Sequence, residues 1–205
     1  MGRAVIDELT GQQRAVLRFY LDALKRATDV ELYRARWDGV AGDKRYQARQ
    51  HVIARIVLPV TRGAPVQFYG TLGDAMAEYG GVVDHEHQFI CLVDTNSEDV
   101  VAMLSHARAH HTALAELVAD SSFLLEEDSP MRSRGYTNVL VARADLLGPF
   151  QNRNSPVVNG TPMHMLSLVP LVAEEWRTKI EHGTDGLFEF FRVSGRDILA
   201  LNPKA

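Results

Sequence analysis

The sequence predicts an α/β (α+β) domain built on a central mixed β-sheet flanked by helices. Val- and Ile-rich runs of strand length are interleaved with amphipathic or capped helical segments in irregular order. Residues 163–169 are nearly all apolar, the pattern of a strand covered on both faces, and lead through Pro170 into a helix, a Gly183 stop and a second helix start. The length of 205 residues suits one domain over residues 1–205. Such a chain buries roughly 70% of its unfolded surface without disulfides or metal.

Taken in order, residues 12–25 place Val16, Leu17, Tyr20, Leu21 and Leu24 at spacings of three and four, and Thr10 with Gln13 makes a capping box. That is an amphipathic helix whose basic residues form its wet face. Residues 38–50, DGVAGDKRYQARQ, carry glycines and charges without periodicity and read as a loop. Residues 51–60 are strand-like, with Pro59 ending the run. RGAP supplies a turn before a second strand over residues 66–72. Gly70, Gly73, Gly80 and Gly81 interrupt the pattern, which resumes over residues 88–93.

Thr95 and Glu98 suggest a second capping box, opening a helix over residues 97–118 with Val100, Val101, Leu104, Leu114, Leu117 and Val118 packed. Residues 123–125 and 136–142 read as strands, and residues 148–162 as a loop rich in Asn, Pro and Gly. After the apolar strand, Pro170 sets a turn into a helix beginning near Val172. Gly183 ends that helix, Thr184 caps the next, Leu187, Phe190 and Phe191 face inward, and Gly195 stops it.

Composition narrows the function classes. A net charge of −4, from 22 basic and 26 acidic residues spread along the chain, leaves no basic footprint for nucleic acid. The longest stretch without Lys, Arg, Asp or Glu, residues 154–173, contains Asn154, Ser155, Asn159 and Gly160 together with Pro156, Pro162 and Pro170, a poor membrane span. The N-terminus turns acidic and polar too early for a secretory core, and the single Cys91 has no second Cys to pair with. These features place the protein in the cytoplasm.

Few residues offer chemistry. His85 and His87, beside Asp84 and Glu86, share one side of a strand and can share a metal ion. His106 and His110 lie one turn apart on a helix, with His111 beside them. Joined, the two clusters would make a zinc or iron site, the basis of a metal-dependent enzyme. However, HARAH lacks the glutamate that serves as general base in metalloprotease helices. No Ser occupies a G-x-S-x-G elbow, and Cys91 sits mid-strand, where a thiolate is disfavoured. GTLGDAMAEYGG has neither phosphate-binding glycine spacing nor a P-loop lysine, so its glycines read as turns. Glu174 and Glu175 complement a helix N-terminus.

The tail Val169, Pro170, Leu171, Glu174, Glu175, Lys179, His182, Gly183, Thr184, Asp185 and Leu187, with the strand from Asn138 to Ala142 before it and Phe68, Tyr69, Thr71, Leu72 and Gly73 further upstream, resembles the Suppressor of Fused domain family, in particular its bacterial single-domain members. Gly73, Asp74, Ala75 and Met76 keep only part of the family's turn, and HQFICLV lacks its Arg-x-x-Glu-Leu strand. Residues 51–205 would be the core, with residues 1–50 a divergent helix and loop. The resemblance implies a non-catalytic domain without cofactor that holds another protein. Animal members restrain a transcription factor, and bacterial ones are suspected immunity proteins against secreted toxins. Candidate partner-binding residues are Tyr69, Thr71, Gly73, Glu174, Glu175, His182 and Asp185.

Overall fold

Side-chain alternation along the strands decides which helix covers which face of the sheet. The computed structural model describes residues 2–25, 27–36, 50–59, 65–73, 86–113, 117–144, 150 and 157–201. Its strands are β1 (Gly2–Arg3), β2 (Asp29–Arg36), β3 (Gln50–Leu58), β4 (Val66–Leu72), β5 (Glu86–Val93), β6 (Ser122–Leu124), β7 (Tyr136–Arg143), β8 (Val157–Val158) and β9 (Thr161–Val172). The helices are α1 (Gly11–Leu24), α2 (Glu98–Ala113), the short α3 (Pro130–Ser133) and α4 (Ala173–Ser194). The strands form one sheet in the order β1-β2-β3-β4-β5-β9-β7-β6, with β8 paired to β9. Every neighbouring pair is antiparallel except β5 and β9, so the sheet is mixed, as the sequence predicts.

Three apolar clusters show the layering. Val100, Val101, Met103, Leu104 and Ala107 of α2 pack with Tyr33, Ile53, Tyr69, Phe89, Cys91, Val139, Val141, Leu166 and Leu168 on one face. The alternate residues of the same strands point the other way, since side chains change face at every step. Val52, Ala54, Phe68, Ile90 and Met165 meet Val16, Leu17 and Tyr20 of α1. Further along that second face, Leu140, Ala142, Val169 and Leu171 meet Leu187 and Phe191 of α4. Each fully buried Val, Leu, Ile, Phe or Met among them contributes about 1.5–3 kcal/mol. The near-continuous apolar character of β9 follows from cover on both faces.

Local signals act where the sequence places them at the start of α1 and along α4. Thr10 Oγ1 accepts from the Gln13 N–H at 3.1 Å, and Gln13 Oε1 accepts from the Thr10 N–H at 3.0 Å. In α4, Gly183 leaves the helical conformation at φ 72°, ψ −175°, dividing the helix in two, and Gly195 closes it in the left-handed region. Leu187 and Phe191 are buried as expected, and Phe190 is half-buried.

Several expectations need correction. The N-terminal quarter is more than helix and loop: β1 and β2 extend the sheet edge, and all eight residues of β2 pair with β3. Its charges are used within the sheet, where the Glu31 carboxylate accepts from Tyr33 Oη at 2.7 Å, Arg55 at 2.6 Å and Arg3 at 3.3 Å. The cap of α2 is Ser97 rather than Thr95, with Ser97 Oγ accepting from the Asp99 N–H at 3.2 Å. That helix is described as far as Ala113; Leu117 is buried and Val118 exposed outside any helix, while Leu114 lies outside the described residues. Gly70 lies inside β4 rather than breaking it, between Ala54 and Ile90. The Cβ of any other residue there would lie 2.7 Å from the Tyr20 ring, so Gly70 lets α1 sit close to the sheet. Most of the expected loop of residues 38–50, and Gly80 and Gly81, lie outside the described residues. Of the loop of residues 148–162, β8 and the start of β9 are described as strands.

Pro170 is part of β9 and sets no turn. It stands opposite Val139, whose neighbours Thr137 and Val141 bond to the β6 side. By antiparallel alternation Val139 does the same, so the Val139–Pro170 pair is non-hydrogen-bonded and the Pro170 nitrogen faces away from β7. On that flank the pairing with β5 has already ended at Ser167. A missing N–H costs no ladder bond there.

Candidate functional site

The seven candidate partner-binding residues separate into a buried set and an exposed one. Tyr69 Oη donates to Asn96 Oδ1 at 2.8 Å and accepts from the Ser97 N–H at 2.9 Å, tying β4 to the start of α2. Burial pushes its phenol up from the ordinary value. Thr71 Oγ1 donates to Gln88 Oε1 at 2.7 Å and accepts from the Phe89 N–H at 3.0 Å. The same Gln88 oxygen accepts from the Gly73 N–H at 3.0 Å. A Cβ on Gly73 would run into the Arg108 guanidinium, a group 1% exposed whose Nη1 donates to the His87 carbonyl at 2.6 Å. Tyr69, Thr71 and Gly73 thus form an internal joint between β4, β5 and α2, and the sequence did not single out Arg108.

Glu175 is buried too. Its Oε2 accepts from the Val172 N–H at 2.9 Å, capping α4, and its Oε1 accepts from Arg196 Nε at 2.9 Å. Arg196 also reaches the carbonyls of Asp197 and Ala200, so the pair clamps the chain after α4 against that helix's start. Glu174, His182 and Asp185 are the exposed members, all on α4.

The histidines regroup differently from the expected metal set. His85 lies outside the described residues. His87 does not meet His106 or His110; its ring lies 4.5 Å from that of His111 and 5.3 Å from that of His164, its register partner on β9. His111 Nδ1 accepts from the Leu117 N–H at 2.9 Å. That bond places the proton of the neutral ring on Nε2 and leaves no free lone pair for a metal. Among the described residues no group of three His, Cys, Asp or Glu side chains is placed to hold a metal ion. His106 and His110 instead flank Phe123 of β6, each ring 5.5 Å from it. Desolvation lowers the His106 pKa, and the nearby Glu126, 3.6 Å away, opposes the shift without reversing it.

Around β6 the structure presents an open sheet edge. Leu125 N–H bonds to the Thr137 carbonyl and Val141 N–H to the Ser121 carbonyl, so alternation turns the N–H and C=O of Ser122 and Leu124 outward. Among the described residues no strand follows β6 in the sheet. Leu124 is 62% exposed. Asp120 stands at one end of this edge and the exposed Glu126, Glu127 and Asp128 at the other. Lys179 of α4 approaches Ser122 Oγ at 3.4 Å, and Asp120, Lys179, Gly183, Thr184 and Asp185 line a shallow depression of about 390 Å³. The sequence reads residues 123–125 as a strand, but its place at the sheet edge is a property of pairing that so short a run does not encode.

Comparison with solved structures decides the architecture. A Suppressor of Fused homologue from Neisseria gonorrhoeae superposes with a TM-score of 0.61 over 93% of this chain and 94% of that one, at 11% identity. The fold is that of Suppressor of Fused. Drosophila Suppressor of Fused matches with a TM-score of 0.51 at 11% identity, covering 86% of this chain and 42% of that one. A chain of the Sufu–Fu complex matches with a TM-score of 0.52 at 11% identity, over 90% of this chain and 78% of that one. No family model and no curated protein matches the sequence. The Suppressor of Fused-like domain therefore rests on shape and on the tail that resembles the family. Among its described residues no helix is long and apolar enough to cross a membrane.

Proposed function

We propose that this Suppressor of Fused-like domain is a non-catalytic protein-binding module of bacterial type, acting in the cytoplasm without a cofactor as an immunity protein that neutralises a toxin. The observation that carries the reading is the β6 edge: outward backbone groups at Ser122 and Leu124, an exposed Leu124 side chain and acidic residues at both ends. Such an edge recruits an extended segment by main-chain pairing, with side chains supplying specificity. Two copies of this chain pairing antiparallel through β6 would set Asp120 of one against Glu126, Glu127 and Asp128 of the other. That like-charge meeting disfavours self-association and favours a basic partner. The net charge of −4 steers such a partner in the same direction.

Glu174, His182 and Asp185 extend this surface along α4, whereas Tyr69, Thr71, Gly73 and Glu175 act by holding the framework. Two further observations support binding over turnover. The solved complex of Suppressor of Fused with Fu is a protein–protein assembly. The thiol of Cys91, buried in β5, is pushed up to about 12, far from the range of a nucleophile.

The test is titration against the products of neighbouring genes, followed by size-exclusion chromatography. A one-to-one complex is expected with a basic toxin. Ser122→Pro removes an outward N–H at an edge position that tolerates proline, and Leu124→Arg opposes a basic partner. Each should weaken Kd at least about tenfold with the urea midpoint unchanged. Wild-type affinity in both variants would remove β6 as the docking edge, and no complex with any neighbour would remove the immunity role.

A further inference from the structure

We propose that His106 is a proton-sensitive latch for the β6 edge: on taking up a proton its imidazole leaves Phe123 for water, and the strand frays from the sheet. The side chain is placed for this role. His106 is 9% exposed, and its ring meets Phe123 edge-on at 5.5 Å while His110 meets the same phenyl from one turn further along α2. Phe123 is the inward-facing residue of β6 and its only buried one. The anchor of the strand therefore rests in part on two imidazoles of α2, beside the apolar residues of the same core cluster.

Among the described residues the charged and titratable groups around His106 are Glu126 and Asp128 from the turn after β6 and His110 from α2 itself. The two carboxylates favour the imidazolium, and His110 opposes it. Burial outweighs them, so the folded pKa lies below the ordinary value of 6.5. The charged form belongs to an opened state in which the ring is in water. Opening is cheap at β6, because among the described residues this three-residue terminal strand has a ladder on one side only.

The sign follows from linkage. Well above 6.5 the ring is neutral in both states and pH has no effect. As pH falls below 6.5 the opened form binds a proton that the closed form does not. The opening constant then rises, by up to about tenfold per pH unit, until His106 titrates in the closed form as well. The outward N–H groups that dock a partner are ordered only in the closed form, so acidification would release that partner. This last consequence rests on the docking role of β6; the opening does not.

Amide hydrogen exchange on the full chain, between about pH 7.5 and 5.5 and corrected for intrinsic rates, tests the latch. Protection at residues 122–125 should fall with pH in the wild type, while β3 amides keep theirs. The pH dependence should vanish in His106→Gln. A pH-independent β6 in the wild type, or the same dependence in His106→Gln, would overturn the proposal. If that variant folds poorly, NMR titration of the His106 ring in the wild type decides: a midpoint below 6.5 is required, and one at or above it refutes the latch. Because the exchange is read in the free protein, its failure leaves the docking reading standing, whereas loss of docking with an intact latch would indict β6 as a binding edge.

Discussion

Replacing Glu175 by alanine should destabilise the fold strongly, and the contacts of its carboxylate set the cost. The carboxylate is 4% exposed and holds two donors, the Val172 N–H and Arg196 Nε, both at 2.9 Å. Losing one partner of a buried ion pair costs about 3–5 kcal/mol, because the other charge is left without compensation. Losing the cap adds about 1 kcal/mol. Arg196 keeps the carbonyls of Asp197 and Ala200 and stands 3.5 Å from Tyr136 Oη, which puts the charge term at the low end. The expected total is thus about 3–4 kcal/mol. Urea denaturation at neutral pH reads it as a lower midpoint at constant slope. Glu175→Gln, which keeps an acceptor for Val172, should lose less. The double variant with Arg196→Ala should cost less than the sum of the singles by more than about 1 kcal/mol. A single-variant loss below about 1 kcal/mol, or additive singles, would show that the clamp is no more than a surface pair.

Two further outcomes follow from the described contacts. Gly70→Ala should destabilise by about 1–3 kcal/mol, because its Cβ would lie 2.7 Å from Tyr20 Cε2 and 2.9 Å from Phe68 Cε1; an unchanged urea midpoint would mean that α1 can back away from the sheet freely. At the opposite edge, burial and the hydrogen bond to Glu31 push the Tyr33 phenol up to about 12, while that bond, followed by the Arg55 contact, lowers Glu31. The Glu31 contribution to stability is therefore present at neutral pH and lost as pH falls below 4.5 through the lowered folded value. Ultraviolet titration of Tyr33 and the acid limb of the urea midpoint should both shift in Glu31→Gln; identical curves would refute the assignment.

Much of the architecture was legible because its signals are local. The reciprocal Thr10–Gln13 cap, the β4 run from Val66 to Leu72 and the glycine breaks at Gly183 and Gly195 each follow from a few adjacent residues, and each recurs in the structure. β2 escaped because DVELYRAR interleaves its buried Leu32, Tyr33 and Ala35 with charges that find partners on β1 and β3. Pro170 misled because a proline inside a strand is permitted only by the bonding phase of its neighbours, a property of pairing rather than of sequence. The same limit separates the candidate site residues. Tyr69, Thr71 and Glu175 carry polar groups of the sort found on surfaces, yet partners distant in the chain satisfy them inside. His87 found His111 and His164 rather than the helical pair because register and helix phase, neither visible beforehand, place them.

The single parallel junction has a consequence for synthesis. Strands β1 to β5 pair with their nearest neighbours in sequence and can zip as each emerges from the ribosome. The far flank of β5 must wait for β9, which arrives only after α2, β6, α3 and β7 have been made. Until then an apolar strand, with Phe89, Ile90 and Cys91 among its residues, presents a bare border to the crowded cell. Closing that late, long-range seam is the slow event the topology imposes, and the nascent chain is most open to misassembly just before it.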